Sequence, residues 1–139
     1  MTRIGQSKVL IVLYFYNMKS IYLLTFIICC SCFQVERNCQ DFKTGTFQST
    51  VTVDGIAFVS EFTRSKNLQV ERFKSKTDSA SVRWINDCEM VFRTINPKNR
   101  VEQKDVHLKI LTTSDDGYTF EYGYVGSPIK QKGNAKRIN

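Results

Sequence analysis

Five cysteines carry most of the reactive chemistry in this 139-residue chain. Three of them, Cys29, Cys30 and Cys32, crowd around Ser31 at the end of the run Met18-Lys-Ser-Ile-Tyr-Leu-Leu-Thr-Phe-Ile-Ile-Cys-Cys-Ser-Cys32. A cationic start, a short apolar core and a small residue before the cut make a secretory signal. A cysteine just after the cut turns it into a bacterial lipoprotein signal, because its thiol can accept a diacylglycerol. Lys19 supplies the charge, Ile21 to Ile28 the apolar core and Ser31 the small residue. Cys32 is therefore the expected lipidation site, Cys30 the second choice and Cys29 the third. Such an anchor needs no transmembrane helix, since each buried CH2 contributes about 0.8 kcal/mol.

A second apolar run, Val9 to Tyr16, precedes this signal and is separated from it by Asn17, Met18, Lys19 and Ser20. Met18 is read as the true start, with residues 1–17 outside the translated protein. A single membrane span from Val9 to Phe33 would place Lys19 near the bilayer centre, at roughly 3 kcal/mol. Neither run alone reaches the ~20 residues that a spanning helix needs.

The other two cysteines, Cys39 and Cys88, follow the signal. Export places them in an oxidising compartment, where paired thiols form a disulfide. A bridge between them closes a long loop and contributes roughly 4 kcal/mol by chain entropy. No metal site is expected, because His107 is the single histidine and no Cys-x-x-Cys follows Cys32. No cofactor is expected either.

Three further polar groupings could do chemistry. Asp87-Cys88-Glu89 places two carboxylates beside a thiol, an acid–base arrangement. On a strand, however, the carboxylates share one face and Cys88 turns to the Met90/Phe92 side, as a disulfide partner would. His107 lies between Asp105 and Lys109 with no nucleophile elbow to serve, so it reads as a surface histidine. Asp115-Asp116-Gly117 lacks the ligand spacing of a calcium loop and reads as a hairpin turn. No catalytic residue is assigned, and the chain is not expected to be an enzyme.

The remaining candidates are aromatic. Tyr118, Phe120, Tyr122 and Tyr124 alternate along one strand face, where Phe47, Phe58, Phe62, Trp84 and Phe92 can join them. Tyrosine combines an apolar ring with a hydroxyl that seeks a partner, which suits a pocket wall. These nine rings either line a cavity for an apolar ligand or fill the core of a small barrel, and the filled core is favoured. Arg64, Arg72 and Arg83, near Gln69 and Glu71, could form a polar patch, and an inward Arg–Glu pair there would point to a polar ligand.

What must position these residues is a β-meander. From Gly45 onward, apolar and polar residues alternate, with turn signals every 8–12 residues. The expected strands are 45–53, 56–64, 68–74, 80–86, 88–95, 105–112, 118–125 and a polar edge strand at 130–138. Asp54-Gly55 is the strongest hairpin signal, since both residues accept positive φ. Lys76-Thr-Asp78, Asn96-Pro97-Lys98-Asn99 and Gly126-Ser-Pro128 read as further turns. The fold class is thus all-β: seven or eight antiparallel strands closing into a small lipocalin-like barrel or half-barrel. The domain organisation is a signal over 1–31, a lipidated tether over 32–38 and one domain over 39–139.

Charge narrows the partners. The chain has 20 Lys and Arg against 13 Asp and Glu. Arg3, Lys8 and Lys19 leave with the signal, which takes no acid with it, so the rest carries a mild +4. That is no nucleic-acid footprint. The expected protein is a monomeric lipoprotein of the bacterial outer membrane, facing the periplasm and held through its N-terminal lipid. Its partner is an apolar small molecule or lipid. The alternative is a periplasmic protein-interaction module, an accessory subunit or enzyme inhibitor, with no ligand cavity.

Two resemblances extend this reading. Cys39-Gln-Asp-Phe-Lys-Thr-Gly-Thr-Phe47, Leu68-Gln-Val-Glu71 and Val82-Arg-Trp-Ile-Asn-Asp-Cys88 resemble a family of small uncharacterised lipoproteins of Bacteroidetes-type envelopes. That resemblance implies no activity. Some members bear the label DNA topoisomerase IV, which a short exported chain without an ATP-binding motif does not support. Gly45-Thr-Phe47 is similar to the Gly-x-Trp opening of lipocalins and fatty-acid-binding proteins, with Phe in place of Trp, and implies a ligand-holding barrel.

The anchor is directly testable. Metabolic labelling with a radioactive fatty acid should label the wild-type chain and leave the Cys29→Ala, Cys30→Ala, Cys32→Ala triple variant blank. A label that survives the triple substitution refutes lipidation at this cluster.

Overall fold

The computed structural model describes residues 37–138. Cys29, Cys30, Cys32, Met18 and the apolar run Val9 to Tyr16 lie outside the described residues. Eight antiparallel strands follow one another around a closed barrel: β1 (Gly45–Val53), β2 (Ile56–Arg64), β3 (Leu68–Phe73), β4 (Lys76–Asn86), β5 (Glu89–Thr94), β6 (Val106–Thr113), β7 (Gly117–Tyr124) and β8 (Gln131–Ile138). Among the described residues the only helix is the single 3-10 turn Gln40–Phe42, and none is long and apolar enough to cross a membrane.

Closure is made by β8, which pairs with β7 on one side and β1 on the other. The expectation of a polar edge strand there is therefore corrected: β8 has two neighbours and the barrel has no edge. Its polarity has a different cause. The middle of its inward row, Gly133 and Ala135, is small, Gln131 and Arg137 take the two ends of that row, and Lys132, Asn134 and Lys136 stand outside. A Cβ on Gly133 would meet Phe120 at 2.7 Å, Val51 at 2.8 Å and the Thr50 carbonyl at 2.9 Å. A bare backbone at that point lets β8 close against β1 and β7.

The Asp54-Gly55 hairpin forms as its residues require, with φ of 51° and 79°. The turn expected at Lys76 to Asp78 is not there. Those residues open β4, with Lys76 opposite Phe73 and Asp78 opposite Glu71. The turn is Lys74-Ser75, and Lys74 takes φ 53°. Pairing along the whole β3–β4 ladder outweighs the local turn preference of Thr77-Asp78. The strand expected from Cys88 starts one residue later, at Glu89, and leaves Cys88 in the turn.

One end of the barrel is shut. The chain crosses it before β1, where Arg37 donates to the Ile110 carbonyl at 2.8 Å and the Asn38 amide donates to Thr113 Oγ1 at 3.0 Å. The 3-10 turn then inserts Phe42 between Phe47 and Tyr118, at 6.2 and 5.2 Å between ring centroids. Cys39 and Cys88 are bonded, with S–S 2.07 Å, and rivet this plug to the β4–β5 turn.

Arg137, on β8, locks the plug from the other side. Its guanidinium lies 4.9 Å from the Phe47 ring and 5.6 Å from Phe42. It donates to the Thr44 carbonyl at 3.4 Å and to the Asp41 carbonyl. Gly45 leads into β1 beside it with φ 136°, a backbone conformation that L side chains rarely adopt. This is the physical reason for glycine two residues before Phe47.

Loss of the rivet should be costly. The bridge joins residues 49 apart, and the Cys39→Ala, Cys88→Ala double variant should lose roughly 4 kcal/mol of stability, read from urea unfolding midpoints. Peptide mapping without reduction should recover the two cysteine peptides linked. Separately alkylated peptides would overturn the bridge.

Candidate functional site

Pairs directly opposite in an antiparallel ladder share a face. The β1–β2 register therefore sends Phe47, Ser49, Val51 and Val53 inward, together with Ile56, Phe58, Ser60, Phe62 and Arg64. At the closed end the inward residues are large, and Phe47, Met90 and Ile110 are completely buried. Toward the other end they become small or short on β8, β1, β2 and β4: Gly133, Ser49, Ser60 and Ala80. The interior there is a cavity of about 470 Å³ that opens to solvent at the far end. This lies within the size range of small-molecule sites.

The nine aromatic residues of the sequence reading divide between the two halves. Phe58, Phe62, Phe92, Tyr118, Phe120 and Tyr122 line the cavity. Phe47 belongs to the closed core instead, and Trp84 packs against that core below the cavity, with Lys43 Nζ 5.2 Å from its ring. Tyr124 stands at the mouth, 39% exposed, under Lys104. A filled core was the favoured expectation. The barrel is filled in one half only.

Arg64 forms the floor between the halves. It is 2% exposed. Its Nε donates to Gln69 at 2.9 Å, Nη1 to the Phe42 carbonyl at 3.2 Å and Nη2 to the Tyr118 hydroxyl at 3.1 Å. Rings of Phe47, Phe62, Trp84, Phe92 and Tyr118 surround it, with centroids 4.9–6.0 Å away. No carboxylate pairs with it among the described residues. The guanidinium is held by neutral oxygens and π-faces, a desolvated setting in which cation–π attraction is strongest.

Above the floor, one wall is polar. Ser60 Oγ donates to Glu71 Oε1 at 2.5 Å, and Asp78 stands beside Glu71 across the β3–β4 ladder. Opposite, Tyr122 donates to Gln131 at 3.0 Å. Burial pushes the Tyr122 hydroxyl above the ordinary tyrosine range, and the negative Glu71 adds to the shift. The cavity thus offers a cation at its base, carboxylates partway up one wall, and rings elsewhere.

The other chemistry-bearing candidates take structural partners. Arg72 and Arg83 are exposed while Arg64 is buried, so the three do not form one patch. Asp87 receives Gln40 and Lys43 at the plug, whereas Glu89 binds His107 Nε2 at 3.1 Å on the outer face. The two carboxylates therefore do not act as a pair. No group of three or more His, Cys, Asp or Glu able to hold a metal occurs among the described residues. The buried role of Arg64 escaped the sequence reading, although its parity with Phe58 and Phe62 on β2 was a usable signal. Nothing local marks Phe42 as the plug.

No protein-family model matches the chain, and no curated protein or solved structure is significantly similar to it.

Tyr118 offers a test of the floor. Burial raises its hydroxyl above the ordinary value, with Arg64 pulling the other way. A raised folded-state value means that its stabilising contribution is whole below about pH 10, the unfolded value. That contribution falls as pH rises through the folded value, because only the unfolded state ionises first. Tyr118→Phe should cost about 1–3 kcal/mol at pH 7 by stripping Arg64 of a partner. It should also flatten the loss of stability that linkage predicts for the wild type above about pH 10, read from urea melts. Equal alkaline slopes for both proteins would refute the assignment.

Proposed function

We propose that this protein is a lipid-anchored envelope protein, modified at Cys32, whose barrel binds a small amphipathic molecule that is apolar over most of its surface. The observation that carries the reading is the cavity of about 470 Å³. Its walls are mostly ring and aliphatic carbon, with a few convergent polar groups, the composition of a small-ligand site. Phe62, Phe92, Phe120 and Leu108 would hold the apolar body. Ser60 and Glu71 would orient a donor group on the ligand.

A packed β-barrel of this size gains nothing in stability from such a space. A void forfeits dispersion contacts on every side chain that lines it. Larger residues at Ser49, Ser60 and Ala80 would recover them. The small residues at these positions are what a binding function requires, and they support the reading for that reason.

Native mass spectrometry of the full chain, extracted from its membrane in mild detergent, should show a co-purifying species. Ala80→Phe, which fills the cavity without removing a hydrogen bond, should abolish it while the disulfide and the melting profile persist. A wild-type protein that emerges at its bare mass, and that fails to bind an environment-sensitive fatty-acid probe, would refute the cavity as a ligand site.

A further inference from the structure

Apolar exposure is concentrated around the mouth of the cavity. Ile56 and Phe58 stand on the β1–β2 hairpin, Ile95 and Val101 in the β5–β6 connection, and Val125 and Ile129 in the β7–β8 connection. Ile129 is 73% exposed and Ile56 62%. Tyr124 sits beside them, and Val59 lies on the outer face of β2 just below. At the closed end only Leu68 and Ile85 are comparable.

Cations alternate with these apolar tips. Lys74, Lys98, Arg100, Lys104, Lys130 and Lys132 are all exposed at the same end, and none takes part in an ion pair among the described residues. The acids of that end are mostly engaged. Asp105 binds Arg93 at 2.8 Å, Asp78 lies 4.0 Å from Lys76, and Glu102 accepts from the Lys98 amide and the Asn99 side chain. Those bonds hold the Glu102 and Asp105 carboxyls below their usual range, so both stay anionic but internally satisfied.

The β1–β2 hairpin also stands clear of its neighbours. β8 reaches only to Val51 on one side, and β3 pairs only from Glu61 on the other. The tip from Thr52 to Phe58 is thus a two-stranded flap with Val53, Ile56 and Phe58 on its inner face, one ring of which meets Phe73 at 6.2 Å.

From this arrangement we propose that the mouth rim docks on an anionic lipid surface, from which the cavity is loaded. The proposal rests on the cavity being a ligand site. Unpaired cations meet lipid phosphates while the isoleucine and valine tips enter the headgroup boundary, the two contributions that hold peripheral proteins on membranes. An apolar ligand then passes from lipid to cavity without crossing water. Arg37 sits at the closed end, against β6, and the five residues back to Cys32 reach about 18 Å at most, so an anchor at Cys32 holds the closed end and the rim meets a second lipid surface.

Tryptophan reporters test this in the full chain carrying Cys29→Ala, Cys30→Ala and Cys32→Ala, so that no lipid anchor holds the closed end on the vesicles. Val125→Trp marks the rim and Leu68→Trp the closed end, each against the Trp84 background. On vesicles rich in phosphatidylglycerol that carry brominated acyl chains, Val125→Trp emission should shift to the blue and be quenched severalfold more than that of Leu68→Trp. Vesicles of phosphatidylcholine alone, or about 0.5 M salt, which shortens the Debye length to a few ångströms, should remove most of the difference. Quenching at Val125→Trp no greater than at Leu68→Trp would overturn the proposal, as would equal quenching on both lipids. The fatty-acid probe, added to the same protein without vesicles, separates the two ideas. If the cavity binds the probe while the rim ignores lipid, docking alone is wrong; if the cavity binds none, the reading beneath it falls.

Discussion

A single desolvated cation organises the barrel. Taking a guanidinium out of water costs several kcal/mol unless its donors are met and its charge is compensated. For Arg64 the donors are met by Gln69, the Phe42 carbonyl and Tyr118. Compensation comes from five ring faces rather than from a carboxylate. Each of these partners comes from a different part of the chain: β3, the plug, β7, and rings on β1, β2, β4 and β5. The arrangement is therefore satisfied only when the plug is seated and the barrel closed. Removing any of the three acceptors leaves a buried donor unmet, which makes closure cooperative.

That constraint explains why the interior divides into halves. Below Arg64 the side chains are long, and the plug adds Phe42 to them, so the lower interior is solid. Above it, four of the eight strands present Gly133, Ser49, Ser60 and Ala80, too short to reach across. The opposite wall carries Phe92, Leu108 and Phe120, which fill their own side only. The cavity follows from this lopsided distribution of side-chain volume around one layer of a barrel whose diameter is set by strand number.

How far the sequence reveals this can be judged residue by residue. Period-two alternation locates the strands because a half-buried strand must alternate. Asp54-Gly55 fixes the first hairpin because its backbone demand is local. Cys39 and Cys88 pair as expected, since they are the two cysteines after Cys32. Elsewhere the deciding contacts are distant. Lys74-Ser75 turns because the β3–β4 register forces it, and Thr77-Asp78, the better local turn, is drawn into the ladder. β8 looks like an edge because it is polar; the bare backbone at Gly133 instead serves closure against Val51 and Phe120. Arg64 carries the parity of Phe62, yet a charged residue at a strand end is ordinarily solvated. What makes it internal is Phe42, 22 residues away, whose position depends on the disulfide.

Stability and binding make opposite demands on a domain this small, and the barrel meets them by separating them along its axis. A cavity removes packing, and a free hairpin tip removes ladder partners, so both must be offset elsewhere. The closed end does this with devices that reach across the sequence: the Cys39–Cys88 bond, Phe42 between Phe47 and Tyr118, and Arg137 over Phe47. The pairing of β1 with β2 from Gly45 up to Val53 carries that rigidity toward the mouth without a break. Only beyond Val51 on one side and Glu61 on the other does the hairpin lose its neighbours. Local opening free energies fall where ladder partners and buried contacts are few. The hairpin tip is then less firmly held than the rest of β1 and β2, and because Val53 and Phe58 line the cavity, motion there changes access to the interior without disturbing the floor.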